Sequence, residues 1–257
     1  MTPSGGDEPK AGIGGPDVDD GGRRLNPQYN LARPDGLAVR IATHARRRMF
    51  NVFMEEFSPT AHDEVLDLGV TSDASYASSN YLEAWYPYRD RIVAAGIDAQ
   101  AIVVEERYPG VRFQHADACD LPFADDAFDL VHSAAVIEHV GSRARQARMI
   151  AECTRVARRG LCITTPNRWY PVELHTQLPF MHWLPPTAYR RVLAAIGQKE
   201  LALEENLNLL TARALLASCP AGADWRFRVA RYRLLGPTSN LILIGVRTSV
   251  AARGSSR

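Results

Sequence analysis

The sequence has no long apolar run, no phosphate-binding loop and no paired cysteines. The first absence, of any uncharged apolar stretch of about eighteen residues, leaves no candidate membrane-spanning helix. The second counts against nucleotide binding. The apolar run at 64–69 is followed by VTSDASYASS, which has neither a GxGxxG spacing nor a Gly-Lys-Ser/Thr tripeptide, so the dinucleotide and nucleoside-triphosphate readings lose ground. The cysteines, Cys119, Cys153, Cys162 and Cys219, are widely spaced, which fits reduced structural thiols better than disulfides or thiolate metal ligands. No short His-rich cluster such as HExxH occurs, and no metal is expected. Charge of one sign is also missing: 30 Lys and Arg against 29 Asp and Glu leave a net +1, which gives no support for a nucleic-acid partner. The N-terminus is rich in Gly, Pro and Asp rather than basic and then apolar, so a cytoplasmic location is the expectation.

What is present is a patterned α/β chain. Residues 1–27 carry too little apolar surface to offset the entropy of ordering them and are expected to be disordered; 28–250 read as a single domain, and 251–257 as a frayed end. Residues 36–57 place Ala38, Ile41, Ala42, Ala45, Met49, Phe50 and Phe53 at helical spacing, with Arg46, Arg47 and Arg48 on the polar face. That helix either packs on the sheet or closes over a ligand. EVLDLG (64–69) reads as the first buried strand, with Asp67, a candidate cofactor contact, near its exit and Gly69 at the turn. Thr71, Ser72 and Asp73 then supply groups that hydrogen-bond a polar, non-phosphorylated ligand. RIVAAGID (91–98) reads as the second strand and delivers Asp98, a carboxylate suited to ribose hydroxyls.

The stretch RFQHADACDLPFADDAFDLVHSAAVIEHV (112–140) contains two more strands, each delivering polar groups at its C-terminal end. Asp117 ends one. The other opens into the small-residue patch Ser133–Ala135, with Glu138 and His139 at an apparent helix start. A helix over 143–158 and a strand over 161–165, stopped by Pro166, follow. Residues 168–186, RWYPVELHTQLPFMHWLPP, are too proline-rich for a helix and too apolar for a solvated linker, which makes about 168–208 a lid-like insertion. Helical patterns at 187–201 and 209–218 precede two strands, 225–235 and 240–248, joined by a connection short enough for an antiparallel hairpin.

EVLDLG, the 112–140 stretch and CITTPNR (162–168) together resemble the class I S-adenosylmethionine-dependent methyltransferases, most closely the group called methyltransferase type 11, over roughly residues 60–248. The resemblance implies a Rossmann-like seven-stranded sheet, mostly parallel with an antiparallel last strand and helices on both faces. It implies S-adenosylmethionine as cofactor. Gly69 and the loop Val70–Asp73 match the turn under the methionine and ribose, and Asp98 matches the acid that takes the ribose hydroxyls. Asp117 with Ala118 matches the adenine position, and Ser133 with Ala134 the segment beside the methionine. The loop departs from the pattern: Val70, Thr71, Ser72 and Asp73 stand where further glycines are usual.

Methyl transfer to a hydroxyl requires alignment, exclusion of water and removal of a proton. His175, His139 and His182 are the candidate bases, with Glu173 behind them. Arg168, Trp169, Tyr170 and Trp183 are candidate acceptor contacts, which points to a small and partly apolar acceptor; the same aromatics would also suit a homodimer contact. O-methylation is preferred because several bases are present. A nucleic-acid methyltransferase is disfavoured, since no NPPY-like motif occurs. The competing reading is a methyltransferase fold that serves as a non-catalytic interaction or regulatory module.

Overall fold

The structure is a computed structural model that describes residues 37–73 and 78–248; the expectations for both chain ends lie outside the described residues. The strands are β1 (Val65–Leu68), β2 (Ile92–Gly96), β3 (Arg112–His115), β4 (Phe128–Ala134), β5 (Ala157–Pro166), β6 (Trp225–Arg233) and β7 (Thr238–Arg247). They form one sheet in the order β3-β2-β1-β4-β5-β7-β6. All neighbours from β3 to β5 run parallel, and β7 inserts antiparallel between β5 and β6. The chain order reverses direction between β1 and β4, and the C-terminal ends on either side of that switch point frame a crevice. This is the Rossmann-like sheet that the sequence implied, down to the closing hairpin.

Burial explains which strands are central. Every residue of β1 and β2 is buried, whereas β3 is largely exposed and β6 alternates. The outward positions of β6 carry Arg226, Arg228, Arg231 and Arg233, charges that protect an open sheet edge from pairing. The period of two then splits the core. Leu66, Leu68, Val131, Leu161 and Ile163 face one layer, where α4 (Arg143–Val156) and α6 (Ala212–Ala217) pack. Val65, Ile92, Ala94, Leu130 and Cys162 face the other, where α1 (Leu37–Phe57) and α2 (Tyr81–Trp85) pack. In α1, Ala45, Met49, Phe53 and Phe57 recur every fourth residue and are buried. Its arginines are not all solvated: Arg46 Nη1 donates to Ser78 Oγ at 2.9 Å, and the Arg47 guanidinium lies 3.7 Å over the Trp85 ring.

Two element boundaries differ from expectation. The helix expected over 143–158 ends at Val156, because Ala157 already pairs with Phe128 at the start of β5. No Gly or Pro marks that change, so nothing local announced it. The helices expected at 187–201 and 209–218 shrink to α5 (Pro186–Ala195) and α6. The segment between β5 and α6 has its own small core of Tyr189, Leu193, Leu201, Leu207 and Leu209. It is tied back at both ends: Arg168 N donates to Leu210 O, and Asn208 N donates to Glu138 O. No helix among the described residues is long and apolar enough to cross a membrane.

Candidate active site

A cavity of roughly 310 Å³ runs along the C-terminal edge of the sheet. Its lining follows the strand order: Ala116–Ala118 after β3, Gly96–Asp98 after β2, Leu68–Thr71 after β1, Ala134–Val136 after β4, and Thr164 and Pro166 on β5. Asn240 on β7 closes that end. From outside the sheet, α1 contributes Ala42, Ala45, Arg46 and Met49, so this helix both packs on the core and covers the crevice. Leu174, His175 and Asn206 reach in from the segment that follows β5.

At the β3 and β2 end, two carboxylates face the cavity. Asp117 Oδ2 accepts from Arg145 Nη2 at 2.8 Å, and its Oδ1 accepts from Cys119 N at 2.9 Å. Asp98 Oδ2 accepts from Ser72 Oγ at 2.7 Å, and its Oδ1 accepts from Gln100 N at 2.9 Å. Ser72 therefore serves as a strut to Asp98 rather than as a lining residue. The turn after β1 is tight. Gly69 has φ +95°, and a Cβ there would lie 2.0 Å from Val136 Cγ2. Only glycine fits such a position. In the glycine-poor loop beyond it, one side chain clamps Thr71 from both sides: Asn80 Oδ1 accepts from Thr71 N at 3.0 Å while Asn80 Nδ2 donates to Thr71 O at 2.8 Å.

At the β5 end a polar cluster forms. His139 Nδ1 lies 2.6 Å from Asn206 O. A carbonyl only accepts, so Nδ1 carries the hydrogen and Nε2 presents its lone pair. That Nε2 is 3.2 Å from His175 Nε2, which must then donate. His175 Nδ1 in turn donates to Glu173 Oε1 at 2.7 Å. Burial opposes charge on Glu173, but the hydrogen bonds from His175 outweigh it and hold the carboxyl down at about 2. Burial likewise opposes charge on His175, and the same carboxylate raises its pKa. Burial and the neighbouring His175 lower His139 to about 3. Glu138 Oε2 accepts from Thr165 Oγ1 at 2.9 Å, and burial pushes its pKa up to about 7.

The structure thus gathers Gly69, Thr71, Asp98, Asp117, Ala118, Ala134, His139 and His175 around one cavity. Other sequence candidates sit elsewhere. Asp67 points into the α1–α2 layer, where its Oδ1 is 2.5 Å from His132 Nδ1. Ser133 donates to Leu68 O within the sheet. Neither lines the cavity, and neither does Asp73. His182 Nε2 donates to Tyr170 O at 2.7 Å inside the segment after β5. Arg168 donates to Leu184 O, and Trp169 and Trp183 form an edge-to-face pair that is half exposed, with Tyr170 also outside the cavity lining. Sequence reasoning passed over Arg145, Asn80, Asn206 and Asn240. Asn80, directly before the apolar start of α2, carried a helix-start signal; Arg145 and Asn206 meet their partners only through the fold.

Residues 67–163 match the family model described as a methyltransferase domain. Probable S-adenosylmethionine-dependent methyltransferases of two Mycobacterium tuberculosis strains are each 38% identical over 81 residues, which is 30% of this chain and 28% of theirs. The match thus spans less than a third of those relatives. Among solved structures, a protein of Pyrococcus horikoshii superposes with a TM-score of 0.53 at 16% identity, covering 87% of this chain and 97% of the other. The [4+2]-cyclase SpnF gives 0.52 at 16% over 79% and 80%. Magnesium protoporphyrin IX methyltransferase from Synechocystis PCC 6803, solved with bound SAH, gives 0.50 at 13% over 86% and 92%. At these identities the neighbours speak for the fold alone. The matched segment runs from β1 through β5 and carries the crevice, so the part of the chain that frames the cavity is similar to a methyltransferase domain.

Proposed function

We propose that this chain binds S-adenosylmethionine along the β3–β2–β1–β4 edge and methylates a small, partly apolar acceptor at the β5 end. The observation that carries the reading is the single cavity lined in strand order, with Asp117 and Asp98 at one end and the histidine pair at the other. The residues fit the cofactor. Two carboxylates suit the amino and hydroxyl groups of an adenosine, and the absence of a phosphate loop suits a ligand without phosphate. Asp117 with Ala118 would take the adenine, Asp98 the ribose, and Gly69, Thr71 and Ala134 the methionine portion. When bound, the cofactor supplies an electrophilic methyl group on a sulfonium.

The chain's own contribution is placement and proton handling. Met49, Val136, Pro166 and Leu174 give the cavity apolar wall, which favours an acceptor with apolar surface and keeps water out. Once the proton held between the two Nε2 atoms has left, His175, oriented by Glu173, is the group that would take the proton of an acceptor hydroxyl, so O-methylation is the preferred reaction. The exposed Trp169 and Trp183 lie outside the cavity and are better suited to a mobile cover or a partner surface than to acceptor contact.

The test has two stages. Calorimetry on the folded protein should detect S-adenosylmethionine binding, and Asp117→Ala should weaken it by about tenfold or more without unfolding the chain. Unchanged affinity would remove the adenine assignment, and no binding by the wild type would sink the enzyme reading. The fold hosts other chemistry, as the cyclase neighbour's name says of that protein, so fold alone does not carry the proposal.

A further inference from the structure

The geometry points to a divalent transition-metal site formed by Glu138 Oε1, His139 Nε2 and His175 Nε2 at the β5 end of the cavity. One ligand atom from each of these three residues lies within 4.8 Å of the other two. Both imidazoles turn the same nitrogen, Nε2, towards a common point, and the two nitrogens are 3.2 Å apart. Nitrogens bound at about 2.0–2.1 Å to one ion, with angles between a right angle and tetrahedral, stand roughly 2.9–3.4 Å apart. Glu138 Oε1 is 4.0 Å from His139 Nε2. It is buried and has no hydrogen-bond partner among the described residues. A fully buried carboxylate oxygen left without a donor is costly unless something positive occupies the space before it.

Each of the three groups is fixed from behind. His139 Nδ1 donates to Asn206 O, His175 Nδ1 donates to Glu173 Oε1, and Glu138 Oε2 accepts from Thr165 Oγ1. Carboxylate or carbonyl acceptors behind ligating imidazoles set the tautomer and aim the other nitrogen at the ion. Without a metal, the gap between the two Nε2 atoms must hold a proton, since two lone pairs would repel; a cation takes that proton's place. The His139 and His175 side chains keep 17% and 15% of their surface exposed, and both line the cavity. Three protein ligands therefore leave coordination positions open toward it. Two imidazoles and one carboxylate favour zinc, iron, cobalt or manganese over magnesium or calcium, which prefer oxygen cages. If the methyl-transfer reading holds, an acceptor hydroxyl bound to that ion would ionise more readily. Only this last role rests on that reading; the site itself does not.

The experiment is metal binding by the full chain. After chelator treatment and dialysis, Zn²⁺ titrated against a chromophoric competitor should show one tight equivalent, and Co²⁺ should give visible d–d bands without thiolate charge-transfer absorption. His139→Ala and His175→Ala should each weaken Zn²⁺ by 100-fold or more. Glu138→Gln and the supporting Glu173→Gln should weaken it about 10- to 100-fold, and exposed His62→Ala should leave it unchanged. Circular dichroism identifies any variant that fails to fold, in which case Glu138→Gln and Glu173→Gln carry the test. Absence of a stoichiometric site in folded wild type, thiolate absorption, or equal affinity in the Glu138 and Glu173 variants would overturn the proposal. S-adenosylmethionine calorimetry on the same samples separates the two readings: cofactor binding without metal binding sinks the metal site alone, and the reverse sinks methyl transfer alone.

Discussion

Gly69 shows how one residue can shape the floor of a crevice. Its φ of +95° and the 2.0 Å approach of Val136 Cγ2 to a hypothetical Cβ are independent obstacles to any side chain. Gly69→Ala should therefore lose about 2–4 kcal/mol of stability, from a strained backbone and an overpacked turn together. Urea unfolding would measure that loss, and calorimetry should show weaker S-adenosylmethionine binding in whatever fraction remains folded. A change below about 0.5 kcal/mol would mean the turn relaxes freely. Neighbouring Gly96 is less constrained, since a Cβ there would meet Val70 O at 3.1 Å, a contact that a small backbone shift accommodates.

Among the elements, the loop after β1 substitutes a side-chain clamp for the usual run of glycines. Asn80 is buried and uses its amide in both senses on the main chain of Thr71. Asn80→Ala should cost about 1–3 kcal/mol and loosen cofactor binding, because two buried backbone groups lose their partner. Asn80→Asp should be worse than Asn80→Ala at neutral pH. Its carboxylate still accepts from Thr71 N but turns an oxygen toward Thr71 O. If the two variants melt together, the clamp is not what orders the loop. The clamp also marks where sequence reading stops. β1, β2, β4 and the closing hairpin were legible because apolar runs bounded by turn residues are local signals, and Asp98 and Asp117 were legible as polar residues at strand ends. Asn80 acting on Thr71, Arg145 acting on Asp117 and Asn206 acting on His139 were not, since their meaning lies in partners that the fold brings together. Asp67 misled for the same reason: at a strand exit it looked like a cofactor residue, yet the alternation of β1 sends it into the opposite layer.

For the molecule as a whole, that opposite layer holds a buried titratable group whose charge state couples to folding. Asp67, Glu83, His132 and Tyr81 are all buried between the sheet and α2, with Tyr81 Oη 2.9 Å from His132 Nε2. Burial raises Asp67 to about 7 and lowers His132 to about 4. These two shifts offset each other at pH 5–6: the native pair keeps one proton, on Asp67, and the unfolded pair also keeps one, on His132, so little linkage arises. Glu83 has no such counterweight. Burial, and then the charge of Asp67 and a hydrogen bond with it, raise its pKa well above the usual 4.5. Above pH 4.5 the unfolded chain releases a proton that native Glu83 retains, so the stability this group supplies is full at lower pH and drains as pH rises. Glu83→Gln removes that titration while keeping shape. The variant should gain on wild type as pH goes from 5 to 8, by on the order of 1–3 kcal/mol, in urea unfolding at the two pH values. A difference between variant and wild type that stays constant across that interval would mean Glu83 is ionised in the native protein and that something else in this layer carries the compensating charge.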